Sequence, residues 1–180
     1  MSGRPAVFFD RDGTLIKIIE RPNFTKKLTA PFCLSELEFM PDARGVVEAV
    51  RRLNYLRVMI TNQPDVALGY LRPDTWQIIH DRVVSHLKLD DVFMCRHRSQ
   101  DNCPLKKPSP LMLLAAADKW GIDLAQSYMV GDSDKDIEAG RRAGCRTILI
   151  RRHYNSGVVA DHTVFSLADI LSIIERRLPE

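Results

Sequence analysis

The sequence predicts an α/β protein: an open, mostly parallel, Rossmann-like sheet with helices on both faces and no large cap domain. Short β-type runs alternate with stretches of helical period along the 180 residues, and that alternation is the pattern of parallel strands joined by crossover helices. The length suits one domain, which usually holds roughly 100–200 residues, so residues 1–180 are expected to form one. Neither the 26 residues between Thr14 and Pro41 nor the stretch after Gln63 is large enough to enclose a core of its own.

The elements follow in order. Ala6-Val7-Phe8-Phe9 reads as a buried strand that stops at Asp10 and turns through Arg11-Asp12-Gly13-Thr14. Asp42 to Leu53, just after Pro41, places Val46, Val47, Val50 and Leu53 on one helical face, and Leu56 to Thr61 follows as a strand rich in β formers. Pro73 with Asp74 opens a second helix whose Trp76, Ile79, Val83 and Leu87 recur at spacings of three and four, and Asp91 to Cys95 is the next strand. Ser109-Pro110 supplies a cap and a first-turn proline for a helix reaching Trp120, which Gly121 ends. Tyr128-Met129-Val130 then runs into Gly131-Asp132, Ser133 to Ala143 is a helix closed by Gly144, and Thr147 to Ile150 is the fifth expected strand. Ser166 with Asp169 three residues on predicts a capping box for the last helix.

Composition narrows the class. With 45% apolar and 27% charged residues the chain has no deficit of core-forming residues, which excludes disordered and fibrous classes. Its longest apolar run, Leu111 to Ala117, is seven residues, against roughly twenty for a membrane span. A soluble, cytoplasmic monomer is expected. Four cysteines, Cys33, Cys95, Cys103 and Cys145, are too few for a disulfide scaffold and are expected as thiols or metal ligands. The net charge is only +3, and the basic residues are scattered in pairs from Arg51-Arg52 to Arg176-Arg177. Solvated surface is expected, with no nucleic-acid face and no membrane partner.

In an open α/β sheet the ligand crevice lies at the carboxyl ends of the strands. The first strand ends at Asp10, with Asp12 two residues on; the second ends in Thr61-Asn62-Gln63; the fourth ends in Gly131-Asp132, with Asp136 four residues later; Lys106-Lys107-Pro108 precedes the intervening helix. Carboxylates gathered at one dry site repel unless a cation neutralises them. An all-oxygen set of Asp10, Asp132, a main-chain carbonyl and waters suits Mg2+, which favours sites shared with a substrate phosphate. Asp10 can then attack phosphorus to give an aspartyl-phosphate while Asp12 moves the proton. Thr61 and Lys107 can bind the phosphoryl oxygens. Asp132 and Asp136 also suit the start of the helix that follows them, and for Asp136 an orienting or helix-stabilising role weighs at least as much as ligation. His80 and His86 fall within an amphipathic helix and read as structural.

Asp10-Arg11-Asp12-Gly13-Thr14, Thr61, Lys107 and Gly131-Asp132-Ser133-Asp134-Lys135-Asp136 resemble, in order, the four motifs of the haloacid dehalogenase superfamily of phosphatases. More narrowly, the opening pentapeptide, Thr61-Asn62-Gln63, the Cys95-x-His97 pair and Lys107-Pro108 resemble the branch of D-glycero-D-manno-heptose 1,7-bisphosphate and histidinol-phosphate phosphatases, over roughly residues 6 to 150. The resemblance implies that Asp10 is nucleophile and metal ligand, that Asp12 is the acid/base and lends its carbonyl to the metal, and that Asp132 completes the metal site. Thr61 and Lys107 would hold the phosphoryl group, and Arg11, Asn62, Gln63 and Lys106 would contact substrate. Two departures touch the substrate rim: Lys106 stands where the branch usually has an arginine, and Pro64-Asp65-Val66 follows Gln63 in place of small residues. The implied activity is Mg2+-dependent removal of the 7-phosphate of the heptose bisphosphate. Histidinol-phosphate hydrolysis and a 3′-phosphatase on nucleic-acid ends are the rival enzymes. A phosphate-binding module without turnover would lack the nucleophile or the acid, and both are present.

Cys95, His97 and Cys103 have the types and spacing of zinc ligands. In the similar phosphatases a further cysteine two residues after the third ligand completes the site, and here that position is Leu105. A structural zinc normally takes four protein ligands, so loss of zinc is expected, with Leu105 packing the loop, Cys95 a buried strand-end thiol and Cys103 an exposed one.

Overall fold

The computed structural model describes residues 3–24 and 27–175. Its centre is β1 (Ala6–Phe9), whose four side chains are all fully buried. Beside it lie β4 (Leu56–Asn62) and β6 (Tyr128–Gly131), then β5 (Asp91–Cys95) outside β4, and β7 (Arg146–Ile150) and β8 (His162–Val164) outside β6. Every pairing in this six-stranded sheet is parallel. Alternation along β1 separates the two layers. Val7 and Phe9 face α1 (Ala43–Arg52), α2 (Pro73–Leu87) and α5 (Ile170–Glu175); Ala6 and Phe8 face α3 (Leu111–Trp120) and α4 (Asp134–Ala143).

The structure adds to the expected elements and corrects them. β8 is a sixth strand, and its three residues are too few to show a period. The last helix begins at Ile170, beyond the expected capping box: the Ser166 N–H donates to Asp169 Oδ2 at 2.9 Å, but the residues between form turns. The basic pair Arg176-Arg177 lies outside the described residues. Among the described residues no helix is long and apolar enough to cross a membrane.

Between Thr14 and Pro41 the chain forms a small antiparallel hairpin, β2 (Ile19–Glu20) with β3 (Leu28–Thr29), and one helical turn at Leu34–Glu36. These pieces lean on the rest of the molecule. Phe24 packs edge-on against Phe32 and Tyr70, with ring centroids 5.8 and 4.7 Å away, and so ties this stretch to the one after Gln63. Arg21 lies over Phe32 and binds Glu36 at 2.5 Å. Among the described residues no large cap domain is built here.

From β1 the chain winds to β4 and β5 on one side, then crosses to β6 on the other. That reversal is the switch point where open α/β sheets place ligands. The residues just past β1, β4 and β6 therefore converge.

Candidate active site

The Asp10 N–H donates to the Val130 carbonyl at 2.9 Å, which extends the β1–β6 pairing by one residue and fixes Asp10 at the strand end. Two glycines make room for the carboxylates around it. Gly13 has φ +91, and a Cβ there would stand 2.0 Å from Asp132 Oδ2; a Cβ on Gly131 would stand 2.3 Å from that of Asp136. At position 13 both the turn and the close approach require glycine.

Lys107 enters from the loop between β5 and α3. Asn62 clasps its main chain, donating from Nδ2 to the Lys107 carbonyl and accepting its N–H at Oδ1, each at 3.1 Å. The buried ammonium spends its three donors on Asp10 Oδ1 at 2.6 Å, Asp136 Oδ1 at 2.5 Å and the Ile60 carbonyl at 2.7 Å. Asp136 Oδ2 accepts the N–H and hydroxyl of Ser133 at 3.1 and 2.6 Å, completing a capping box on α4. Both oxygens of Asp136 are thus engaged in capping the helix and orienting Lys107. Asp132 Oδ2 accepts the Tyr154 hydroxyl at 2.5 Å. Asp10 Oδ2 and Asp132 Oδ1 have no partner among the described residues.

An oxygen of each of Asp10, Asp132 and Asp136 lies within 4.8 Å of the others, and all three residues are buried. Burial first, and then the charge of Asp136, hold the Asp10 carboxyl well above the usual carboxylate range, and Lys107 offsets only part of this. The same two causes push Asp132 up to about 7, against the Tyr154 hydrogen bond and Lys107. Burial works against the charge of Lys107, but Asp10 and Asp136 outweigh it and raise its pKa. Three buried carboxylates against one ammonium leave excess negative charge, and two free oxygens face the excess. This all-oxygen set fits a hard divalent cation such as Mg2+.

Asp12 stands beside this cluster with its carboxylate already held. Gln63 Nε2 donates to its Oδ2 at 2.6 Å, and Arg11 donates to its Oδ1 from Nε at 3.2 Å and from Nη2 at 3.0 Å. Gln63 Nε2 also reaches Thr61 Oγ1 at 2.9 Å, which leaves the threonine hydroxyl hydrogen for another acceptor. Arg11 and Gln63 are 1% and 0% exposed and grip Asp12 rather than line the cleft. Asn62 and Lys106 do line it, and Lys106 Nζ also donates to the His97 carbonyl at 2.8 Å.

The cleft over these groups encloses about 710 Å³. Ile18 and Leu28 of the hairpin region, Leu68 of the stretch after Gln63, and Ser99 and Lys106 of the loop after β5 form its walls. Tyr154 and Val158, after β7, form a wall that sequence reasoning missed. No motif marks them, and their one signal is that they follow a strand's carboxyl end.

Cys95, His97 and Cys103 come together as well, with ligand atoms within 4.8 Å of one another and Cys95 Sγ 3.8 Å from His97 Nδ1. Leu105 is 41% exposed and does not pack the loop, contrary to expectation. The Asn62 clasp on Lys107 and the Lys106 contact to His97 hold the loop instead. Cys103 is half-buried against the apolar layer that contains Cys95. Burial raises the Cys95 thiol, and the nearby Cys103 adds to this. Among the described residues no fourth His, Cys, Asp or Glu joins the group.

A carboxylate at the switch point, an ammonium bound to it, and free oxygens on two buried carboxylates define a metal-dependent enzyme of phosphoryl transfer. A family model for HAD-hydrolase-like proteins matches residues 104–167. The chain is 33% identical over 156 residues to a D-glycero-beta-D-manno-heptose-1,7-bisphosphate 7-phosphatase of Rhodopseudomonas palustris, covering 78% of this chain and 80% of that one. It is 30% identical over 183 residues to a D-glycero-alpha-D-manno-heptose-1,7-bisphosphate 7-phosphatase of Photorhabdus laumondii, covering 93% and 95%. Among solved structures it matches D,D-heptose 1,7-bisphosphate phosphatase of B. bronchiseptica, complexed with magnesium and phosphate, with TM-score 0.81 and 25% identity over 97% of this chain and 99% of that one. The chain belongs to the haloacid dehalogenase superfamily of phosphatases, on the heptose bisphosphate phosphatase branch.

Proposed function

We propose that this chain removes the 7-phosphate of a D-glycero-D-manno-heptose 1,7-bisphosphate, using Mg2+ and a phosphoaspartate on Asp10. The observation that carries the reading is Asp10 itself: its Oδ1 is fixed by Lys107 at 2.6 Å while its Oδ2 stays free at the floor of the cleft. Mg2+ held by Asp10, Asp132 and the Asp12 carbonyl supplies charge neutralisation for the phosphoryl oxygens. Asp10 attacks phosphorus, and the bond from phosphorus to the C7 oxygen breaks as the departing alcohol takes a proton from Asp12. Asp12, now a carboxylate, takes a proton from water, whose oxygen attacks the phosphoaspartate to release phosphate and restore Asp10. The positive charge of Lys107, held on Asp10 and Asp136, would offset the phosphoryl charge, and the Thr61 hydroxyl would donate to a phosphoryl oxygen that reaches it. Arg11 and Gln63 hold Asp12 in place for both transfers.

The substrate is the one for which the relatives in both anomeric series are named. A nucleic-acid substrate is disfavoured because the basic pairs are scattered, and Glu48 and Glu138 each offset one charge of the Arg51-Arg52 and Arg141-Arg142 pairs. We also propose a monomer of one catalytic domain in a reducing cytoplasm, in line with four cysteines, too few for a disulfide scaffold. We further propose that Cys95, His97 and Cys103 bind zinc as three protein ligands with solvent as the fourth, because their side chains converge without Leu105 filling the space.

Phosphate release from both anomers of the heptose bisphosphate, from histidinol phosphate and from a 3′-phosphorylated oligonucleotide tests the function. The heptose bisphosphate is expected to give the highest kcat/KM, with the 1-phosphate retained. Preference for histidinol phosphate or the oligonucleotide would overturn the assignment.

A further inference from the structure

After β7 the chain makes one tight turn, His153–Asn155, that reaches both halves of the carboxylate cluster. Tyr154 donates its hydroxyl to Asp132 Oδ2 at 2.5 Å. Asn155 donates from Nδ2 to the Asp132 carbonyl at 2.7 Å and to the Ile150 carbonyl at 2.9 Å, so one buried amide ties Asp132 to the end of β7. Arg152, just before the turn, donates from Nη2 to the Gly13 carbonyl at 3.1 Å. Gly13 is the residue packed against the Asp132 carboxylate, where a Cβ would stand 2.0 Å from Oδ2. One short segment therefore holds the Asp12–Gly13 turn and Asp132 in mutual register.

We propose that this turn is a positioning element of the metal site and that Tyr154 is the residue that aims Asp132. The inference rests on reading Asp132 as a Mg2+ ligand. A carboxylate rotates readily about its last torsion and can offer a cation either oxygen or both. The Tyr154 hydroxyl occupies Oδ2 and Asn155 fixes the backbone, so Oδ1 is the oxygen left for the cation. Tyr154 also lines the cleft, so the residue that bonds Asp132 stands at the edge of the site itself. Outer groups that orient a metal ligand typically account for about 10–100-fold in metal affinity.

Tyr154→Phe keeps the ring and removes only the hydroxyl. Calorimetric titration of the metal-free protein with Mg2+ is expected to show a Kd raised about 10-fold or more, with urea stability of the metal-free protein preserved. An unchanged Mg2+ Kd would overturn the proposal, whether stability falls, which would make Tyr154 a packing residue, or KM for substrate rises, which would make it a substrate contact. Asp132→Asn, titrated in parallel, separates this from the underlying reading. If it too leaves Mg2+ binding intact, the assignment of Asp132 as a ligand fails; if it abolishes binding while Tyr154→Phe does nothing, the positioning role alone fails.

Discussion

Lys107→Met removes the one ammonium buried between Asp10 and Asp136 while keeping a side chain of similar length. The Lys107 side chain is 3% exposed and those of Asp10 and Asp136 are 11% and 2% exposed, so solvent can replace little of what is lost. Removing one member of a buried ion pair costs about 3–5 kcal/mol, and the Ile60 carbonyl loses its bond to the ammonium in the same step. We expect a loss of about 4 kcal/mol for the metal-free protein near pH 8, a large share of the ~5–15 kcal/mol that holds a domain together.

The pH dependence follows from the raised carboxyls. Burial and Asp136 already hold Asp10 and Asp132 above the ordinary carboxylate value, and without Lys107 both rise further. A carboxyl whose folded pKa exceeds its unfolded one contributes stability that is fully present below the unfolded value and lost as pH rises through the folded value. The cost of the substitution is therefore smallest at acid pH and grows as pH rises past the pKa of about 7 of Asp132 toward the higher values the carboxyls take without Lys107. Equilibrium urea unfolding of both proteins in chelator, at about pH 5 and pH 8, measures it, and kcat is expected to fall about 10²–10³-fold. A cost under about 1 kcal/mol at pH 8, or one greater at pH 5 than at pH 8, would refute the charge balance drawn here.

Asp10→Asn is expected to abolish turnover with the fold intact, because an amide cannot form the phosphoaspartate; steady-state turnover near that of the parent would exclude the route. Asp12→Asn should lower kcat about 10²–10⁴-fold, and Gln63→Leu, which removes the 2.6 Å bond to Asp12, should lower kcat in the same direction with KM nearly unchanged. A rise confined to KM would return Gln63 to the substrate-binding set. Chelation should stop phosphate release and added Mg2+ restore it; full activity after dialysis against chelator would remove the metal from the mechanism. Elemental analysis of protein purified without a metal-affinity tag should find near-stoichiometric zinc that is lost in Cys103→Ser, and zinc-free parent protein would refute the three-ligand site.

Much of the fold was legible because each long element carries its own apolar face. Val46, Val47 and Val50 on α1, and Trp76, Ile79, Val83 and Leu87 on α2, recur at helical spacing and are all buried. What escaped was short. β2 and β3 have two residues each and β8 has three, so period cannot reveal them, and only pairing with a neighbour makes them strands. The start of α5 escaped for a related reason: the Ser166 to Asp169 contact closes a turn as well as it would cap a helix.

Legibility of the site depended on distance from a strand end. Asp10 and Asp132 directly follow β1 and β6, so parallel pairing alone brings them together, whatever the loops do. Arg11 and Gln63 sit equally close to strand ends, yet both turn inward to Asp12, and nothing in the residue types shows this. An arginine or glutamine beside a phosphate-type motif suits a substrate oxygen and a neighbouring carboxylate equally well; the turn decides, and here Asp12 takes both. Asp136 was ambiguous between ligand and cap for the same reason, and the geometry gives one of its oxygens to Ser133 and the other to Lys107. With Asp136 spent in this way, Asp10 and Asp132 are the carboxylates left for the proposed cation. Both residues directly follow adjacent parallel strands, so in the proposed mechanism the sheet order sets where the metal charge, and hence the phosphoryl group, would sit.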